Sequence, residues 1–258
     1  MTSEAVLRTS AAVLGTSAAV LRTSAAVLRT SDTALWVKAL IFDFDGLILD
    51  TETPEYDVWQ SIYREHGYEL PHDEWAQIVG GYGVSDFDAA EYLSLLSRGR
   101  LDPVSLRDRH RSESHALIHG QSLLPGVLDY LRDAGRLGLK LAIASSSPHS
   151  WVDAHAERLG ILAYFHEVVC ADDVAPGRTK PNPDLFLKAL EQLQVRASEA
   201  MVFEDSPNGV TAARRAGIFV VAVPNPLTIR LSMEGENLKL QSMADLNLSE
   251  LLAHFEVK

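Results

Sequence analysis

Short apolar runs that alternate with helical patterns constrain the fold of this chain most strongly. Four runs have this character: Trp36–Phe42, Leu139–Ala144, Ala200–Phe203 and Ile218–Val223. Helical patterns occupy much of the second half of the chain, over Gly126–Gly135, Pro148–Leu159, Pro183–Leu193 and Pro207–Ala216. Buried strands that alternate with helices of this length predict a parallel sheet covered on both faces, and therefore an α/β fold.

The segment 51–121 interrupts this alternation. It shows no clear strand pattern, but it carries helical patterns over Pro54–His66 and Asp86–Leu96, and the turn Leu124-Pro125-Gly126 follows it. We therefore predict that residues 51–121 form an inserted helical cap. Residues 36–50 and 122–258 are predicted to form the α/β core.

Residues 1–35 precede the predicted core and consist largely of a seven-residue repeat. Its copies start at Ser3, Ser10, Ser17 and Ser24. The apolar residues of each copy are consecutive, so on a helix they would spread around most of the surface and form no coiled-coil seam. We interpret this segment as a low-complexity leader without a part in catalysis.

Charge and cysteine content exclude several classes of protein. The formal net charge of −12 argues against nucleic acid and anionic membranes as partners. Cys170 is the single cysteine, which rules out a disulfide within the chain and a thiolate zinc site, and its apolar surroundings predict a core residue. The sequence lacks a secretory-signal pattern and an apolar stretch of membrane-spanning length, so we expect a cytoplasmic protein.

Two carboxylates follow the first apolar run, at the edge of the sheet where ligands bind in open parallel folds. Asp43 and Asp45 are two residues apart in an extended segment, so both are expected to project to the same side. Like charges this close require a cation between them or a proton on one of them. The pair therefore predicts a metal ligand and a proton donor, with a solvated acidic turn as the alternative.

Hydroxyl and ammonium groups follow at later loops. Ser145, Ser146 and Ser147 precede the helix that opens at Pro148, and hydroxyls and free amides at a helix start form an anion site. Simple helix capping by serine is the alternative. Lys180 lies in a segment stiffened by two prolines and could neutralise a phosphate or a carboxylate cluster, although most loop lysines are merely solvated.

Two more acids follow the third apolar run. Glu204 and Asp205 could complete a site of oxygen ligands for Mg²⁺, and a charged turn is the alternative. Ser206 is predicted to cap the helix that begins at Pro207. Each of these motifs is ambiguous alone, but their occurrence at successive predicted strand ends indicates a site for Mg²⁺, phosphate and an activated carboxylate.

These motifs together resemble the four ordered motifs of the haloacid dehalogenase superfamily. They are Asp43-Phe44-Asp45-Gly46, Ala144-Ser145-Ser146, Lys180-Pro181 and Glu204-Asp205. Three further segments are typical of its subgroup with a helical cap, which includes beta-phosphoglucomutase and sugar-phosphate phosphatases: Asp50-Thr51-Glu52, Leu124-Pro125-Gly126-Val127 and Asp205-Ser206-Pro207-Asn208-Gly209-Val210. The resemblance implies a Rossmann-like parallel core and a Mg²⁺-dependent phosphatase that acts through an aspartyl-phosphate.

The resemblance also implies a role for each motif residue. Asp43 would be the nucleophile, and Asp45 would protonate the leaving oxygen and then activate water. Ser145 and the amide of Ser146 would hold the phosphoryl group, and Lys180 would neutralise charge. The implied Mg²⁺ ligands are the carboxylates of Asp43 and Asp205 and the backbone carbonyl of Asp45, with Glu204 assisting directly or through water.

Two departures from the mutase pattern favour hydrolysis of a monophosphate. Glu55 stands where the mutase has a histidine, and Asp86 ends the segment Gly83-Val84-Ser85-Asp86 where the mutase has an arginine for a second phosphate. The presence of Asp45 argues against dehalogenase chemistry. The segment 51–121 contains no lysine, which argues against phosphonate cleavage through a Schiff base.

The prediction is thus a phosphatase for a small phosphorylated metabolite, with a sugar phosphate as the preferred class, in a chain that is a monomer or a weak homo-oligomer. The first alternative is a hexose-phosphate mutase that uses the same site. The second, from another class, is a non-catalytic binding or regulatory protein.

Overall fold

The computed structural model describes residues 37–76, 78, 86–229 and 231–253. The predicted leader lies outside these ranges, as does most of the segment Gly83-Val84-Ser85-Asp86. Among the helices within these ranges, none combines the length and the apolar character that crossing a membrane requires.

A six-stranded, wholly parallel sheet forms the framework. Its strands are β1 Ala39–Phe42, β2 Lys140–Ala144, β3 Glu167–Val169, β4 Ala200–Glu204, β5 Phe219–Ala222 and β6 Leu238–Lys239, in the spatial order β3-β2-β1-β4-β5-β6. The predicted α/β class and its four strands are confirmed, and β3 and β6 are additional. Both additional strands are short and lie at the edges of the sheet, where weak apolar patterns give little signal.

Helices cover both faces of the sheet. They are α5 Val127–Arg136, α6 His149–Arg158, α7 Asp184–Leu193 and α8 Pro207–Arg215, all within two residues of the predicted bounds. Buried residues of α7 and α8 pack with one face, which includes Ile41 of β1. On the other face Phe42 stacks on Phe203 at 4.9 Å between ring centroids, and Tyr130 of α5 meets the Phe203 ring edge-on at 5.4 Å.

Among the described residues, four helices lie between β1 and β2. They are α1 Glu52–Glu65, α2 His72–Ala76, α3 Ala89–Leu96 and α4 Pro103–His119. They share a buried cluster of their own that includes Trp59, Tyr63 and Trp75. Within the described part of 51–121 no strand occurs, as predicted, whereas the domain boundaries at 51 and 121 stay a prediction.

The remaining elements are short. Three single-turn 3₁₀ helices span Leu162–Tyr164, Ala171–Asp173 and Ala197–Glu199, and helix α9 spans Leu248–Ala253. Cys170 is fully buried, as its apolar surroundings predict. The Ser206 hydroxyl accepts a hydrogen bond from the amide of Gly209 at 3.1 Å, so the predicted cap of α8 is confirmed.

Candidate active site

The carboxyl ends of β1 and β4 bring three of the predicted acids together with the predicted lysine. Asp43 follows β1, its amide donating to the carbonyl of Phe203 in β4 at 3.0 Å. Glu204 ends β4 and Asp205 follows it. These three acids and Lys180 are all buried. Parallel strands end at one edge of the sheet, so residues more than 160 positions apart in the chain meet there.

Lys180 supplies the positive charge of this cluster. Its ammonium group pairs with Oδ1 of Asp43 and with Oε1 of Glu204, the latter at 2.7 Å, and it lies 5.2 Å from the centre of the Phe186 ring. Burial disfavours a charged lysine, but the attraction of the two carboxylates outweighs it and raises the pKa of Lys180. The lysine therefore stays protonated, with both acids as partners.

The same acids form a candidate metal centre. Carboxylate oxygens of Asp43, Glu204 and Asp205 all lie within 4.8 Å of one another. Oδ2 of Asp205 accepts a hydrogen bond from the Asn225 amide at 2.7 Å, whereas its buried Oδ1 has no hydrogen-bond partner among the described residues. A buried carboxylate oxygen requires a partner, and an all-oxygen donor set is what Mg²⁺ prefers. These residues therefore fit a divalent cation.

The pKa values of the acids in this cluster also favour a bound cation. Burial, followed by the charge of Glu204, raises the pKa of Asp43 to about 7. Burial, followed by the charges of Asp43 and Glu204, also raises the pKa of Asp205 well above its ordinary value. A cation held between the acids would oppose both effects by stabilising the ionised carboxylates.

The two carboxylate oxygens of Glu204 have different partners, since Oε1 pairs with Lys180 and Oε2 accepts from its own turn. Its Oε2 accepts hydrogen bonds from the amides of Asp205 at 3.0 Å and Ser206 at 3.2 Å. A Cβ atom on Gly209 would overlap the Glu204 carboxylate, so only glycine leaves room for this packing. Glu204 thus organises the loop that presents Asp205.

A second glycine lets the loop after β1 approach the cluster. Gly46 has a φ of +80°, and a Cβ there would overlap Oδ2 of Asp205 and come within 2.7 Å of the Asn225 side-chain nitrogen. A positive φ and close packing are both conditions that glycine meets best. Neither Asn225 nor the packing role of Gly209 was predicted, because no local pattern relates these positions to Asp205.

Asp45 occupies a different environment from Asp43. Its Oδ2 accepts hydrogen bonds from the hydroxyls of Ser147 at 2.7 Å and Ser145 at 3.2 Å, and its Oδ1 accepts one from the indole nitrogen of Trp151 at 2.8 Å. The serines after β2 were predicted to lie at the site, but the contacts of Ser147 and Trp151 with Asp45 were not predicted. A tryptophan inside a helical pattern looks like a packing residue, and only the tertiary structure reveals its polar contact.

The remaining predicted residue, Ser146, directly follows Ser145 in the loop after β2. Its hydroxyl oxygen is buried and has no hydrogen-bond partner within the part of the chain that the structure describes. The alternative, in which a serine caps the next helix, is not observed, because Pro148 is the N-cap residue of α6 and no side chain caps it. The serine hydroxyls are thus not used for capping, and the phosphate role of Ser145 and Ser146 stays a prediction.

Two further acids at the start of α1 face the same region. Burial, followed by the charges of Glu55 and Asp45, raises the pKa of Glu52 well above its ordinary value. Burial, followed by the charge of Asp45, raises the pKa of Glu55 to about 7. The backbone carbonyl of Glu55 contacts Nε2 of His110 from α4 at 2.9 Å, which ties this turn to the helical segment.

Comparisons with known proteins agree with this geometry. Residues 40–223 match the family model described as haloacid dehalogenase-like hydrolase. The chain is 43% identical over 218 residues to a Bacillus subtilis protein named "Putative phosphatase YhcW", covering 84% of this chain and 97% of that protein. It is 31% identical over 184 residues to the "Phosphorylated carbohydrates phosphatase" of Thermotoga maritima, covering 70% and 82% of the two chains.

A solved structure supports the fold. The crystal structure of beta-phosphoglucomutase from Clostridium difficile matches with a TM-score of 0.64 at 23% identity, covering 86% of this chain and 100% of that one. The family model and the phosphatase-named relatives confirm the resemblance inferred from the motifs and the prediction of a phosphatase enzyme. This chain belongs to the haloacid dehalogenase-like hydrolase family.

Proposed function

We propose that this protein is a Mg²⁺-dependent phosphatase that hydrolyses a small phosphomonoester, a sugar phosphate by preference, through an aspartyl-phosphate. The observation that carries the proposal is the buried pair of Asp43 and Lys180 beside the unpartnered oxygen of Asp205. The T. maritima relative is named for phosphorylated carbohydrates, which supports the choice of substrate class.

In the first half of the proposed reaction, a carboxylate oxygen of Asp43 attacks phosphorus and the ester P–O bond breaks. The leaving alkoxide takes a proton from Asp45, so that a neutral alcohol departs. Lys180 lies against Asp43 and stabilises the negative charge of the carboxylate and of the incoming phosphate.

In the second half, Asp45 takes a proton from a water molecule whose oxygen attacks the phosphorus of the aspartyl-phosphate. The P–O bond to Asp43 breaks, inorganic phosphate is released and the Asp43 carboxylate is restored. Ser145 and the amide of Ser146 would hold the phosphoryl oxygens in both steps. These assignments require Asp43 and Asp45 to behave differently, and their surroundings differ accordingly.

The carboxylates of Asp43 and Asp205 and the backbone carbonyl of Asp45 would hold Mg²⁺, with Glu204 assisting directly or through water. When bound, the ion would supply positive charge that offsets repulsion between the acids and the phosphate. The chain itself is strongly acidic, so this local charge and Lys180 are needed for an anionic substrate to bind.

The acids at the start of α1 favour a monoester over a bisphosphate. Glu52 and Glu55 interact with Asp45, and the exposed Asp86 precedes α3. A second phosphate near these groups would meet like charge, which opposes mutase chemistry. In this proposal α1 to α4 form the cap that selects the substrate, and the enzyme works in the cytoplasm as a monomer or weak oligomer.

The test is a phosphate-release assay over a panel of sugar phosphates, nucleotides and small phosphorylated acids, with Mg²⁺ or with EDTA. We expect release with Mg²⁺ only, and a loss of at least roughly 10³-fold in Asp43→Asn. Isomerisation of a hexose 1-phosphate that depends on added hexose bisphosphate would instead indicate the mutase. If the protein turns over no compound in the panel, the remaining hypothesis is the non-catalytic binding protein.

A further inference from the structure

Trp151 contacts the proposed acid Asp45, yet the proposed reaction assigns no role to it. It lies in the first turn of α6, and its Nε1 donates to Oδ1 of Asp45 at 2.8 Å. The other donors to this carboxylate, the hydroxyls of Ser145 and Ser147, both reach Oδ2. Trp151 is therefore the partner of Oδ1 among the side-chain contacts that the structure records for Asp45.

The chemistry of the indole suits it to fixing an orientation. An indole N–H can only donate, whereas a hydroxyl can rotate and exchange donating for accepting. With donors on both oxygens the plane of the Asp45 carboxylate is defined, but with Ser145 and Ser147 alone one oxygen is left free to turn. Orientation of a proton donor within a fraction of an ångström has a strong effect on rate.

Rings on two sides hold the indole in place. The His155 ring, one turn further along α6, meets it at 4.3 Å between centroids and an interplanar angle of 66°. The His115 ring of α4 approaches at 4.7 Å and 47°. Burial, aided by nearby arginines, lowers the pKa of both histidines, so near pH 7 they pack as uncharged aromatic rings.

We propose that Trp151 is a positioning residue that aims the Asp45 carboxylate for proton transfer to the leaving oxygen. The inference rests on the proposed function, because it assumes that Asp45 is the acid. Trp151 acts only through Asp45 and exchanges no proton itself. Through His115, the packing of helix α4 contributes to the same alignment.

The substrate's leaving group provides the readout. Phenyl phosphate and 4-nitrophenyl phosphate are similar in size, but phenolate is the more basic leaving group and needs protonation more. kcat/KM reports the steps up to departure of the alcohol, in which Asp45 acts as an acid. A variant that misaims Asp45 should therefore lose more kcat/KM with phenyl phosphate, whereas general damage to the fold should lower both alike.

The experiment compares Trp151→Phe with Trp75→Phe, on the full chain with Mg²⁺. The indole nitrogen of Trp75 is buried without a hydrogen-bond partner in the described ranges, so the control loses no such contact. We expect Trp151→Phe to lose roughly tenfold in kcat/KM with phenyl phosphate and much less with 4-nitrophenyl phosphate. Its KM and its Mg²⁺ requirement should stay those of the wild type. Trp75→Phe should keep the wild-type ratio of the two substrates.

Two further variants distinguish an error in the role of Trp151 from an error in the assignment of Asp45 as the acid. Asp45→Asn should show the same selectivity with a larger loss, on the order of 10²–10⁴-fold, and Trp151→His, which restores an N–H donor, should recover part of the ratio. Equal losses with both substrates in Trp151→Phe, while Asp45→Asn remains selective, would overturn the positioning role alone. An unselective Asp45→Asn would overturn the assignment of the acid and this inference with it.

Discussion

Asp43 and Asp45 are two residues apart in one loop, yet the fold gives them opposite environments. Asp43 is 5% exposed, pairs with Lys180 and lies beside the carboxylates of Glu204 and Asp205. Asp45 is only partly buried and accepts hydrogen bonds from two hydroxyls and an indole. A charged lysine donates to the first carboxylate, whereas the hydrogen-bond donors to the second are neutral.

The difference shows how one loop can supply two chemical roles. A buried carboxylate held by a cation has a fixed position and a stabilised negative charge, which suits a nucleophile. A carboxylate held by neutral donors at a partly open position can exchange protons with substrate and water. Pairs of acids whose surroundings differ in this way are typical of enzymes that need both functions.

The largest change in stability is expected from removing the cation of the Asp43 cluster. Lys180→Met leaves Asp43 and Glu204 buried without their counter-charge, which should lower the free energy of unfolding by roughly 3–5 kcal/mol. Urea denaturation in EDTA measures this. Lys38→Met is the matched control, because Lys38 pairs with Glu199 at 2.7 Å while 60% exposed and should cost less than about 1 kcal/mol. Similar losses of stability in Lys180→Met and Lys38→Met would contradict the importance of burial for the Lys180 ion pairs.

The next largest effect concerns the candidate metal centre. Mg²⁺ at about 100 times its Kd should stabilise the wild type by about 2.7 kcal/mol. Asp205→Asn should abolish this gain and should be no less stable than the wild type in EDTA, because it removes a buried like charge. Thermal unfolding with and without Mg²⁺ measures both quantities. The exposed Asp129→Asn should respond to Mg²⁺ as the wild type does, and a full response in Asp205→Asn would place the ion elsewhere.

A smaller effect tests the packing that presents Asp205. Gly209→Ala places a methyl group where the Glu204 carboxylate lies and should destabilise the fold by about 1–3 kcal/mol. Gly135→Ala, inside α5 with nothing within 4 Å of the new Cβ, should instead stabilise by about 0.5–1 kcal/mol. Shifts of opposite sign in the denaturation midpoints of the two variants would support the close packing of Gly209 against Glu204. An unchanged midpoint in Gly209→Ala would show that the Glu204 side chain can move away freely.

The smallest expected effect on stability comes from the partly exposed ion pairs of His149, which water screens. His149 contacts Asp173 at 2.8 Å and Asp153 at 3.1 Å. Partial burial opposes its charge, but the two carboxylates win and raise the pKa of His149 above the ordinary 6.5. The protonated ring therefore stabilises the fold fully below about pH 6.5, and this contribution is lost as the pH rises through the raised pKa.

The corresponding measurement is the melting temperature of the wild type and His149→Gln at pH 6 and pH 9. At pH 6 the wild type should be more stable than His149→Gln by less than about 1 kcal/mol. At pH 9 the difference between the two proteins should be smaller. A difference that grows with pH would mean that the ring is held neutral.

The order of elements and the residues at strand ends were predictable from local patterns. The apolar runs that became β1, β2, β4 and β5 are buried along nearly their whole length, so their signal is strong. Strands β3 and β6 were missed because they are short and lie at the sheet edges. The carboxyl-edge rule then brought Asp43, Glu204 and Asp205 together without coordinates.

The sequence by itself determined the α/β class, the family and the identity of the acids at the strand ends and of the loop lysine, because those depend on patterns local in the chain. Only the tertiary structure decided that Lys180 lies between Asp43 and Glu204, and that Trp151 holds Asp45. It also decided which oxygen of Asp205 lacks a partner. These contacts join residues far apart in the chain, and their geometry depends on how strands and helices pack, which no local pattern encodes.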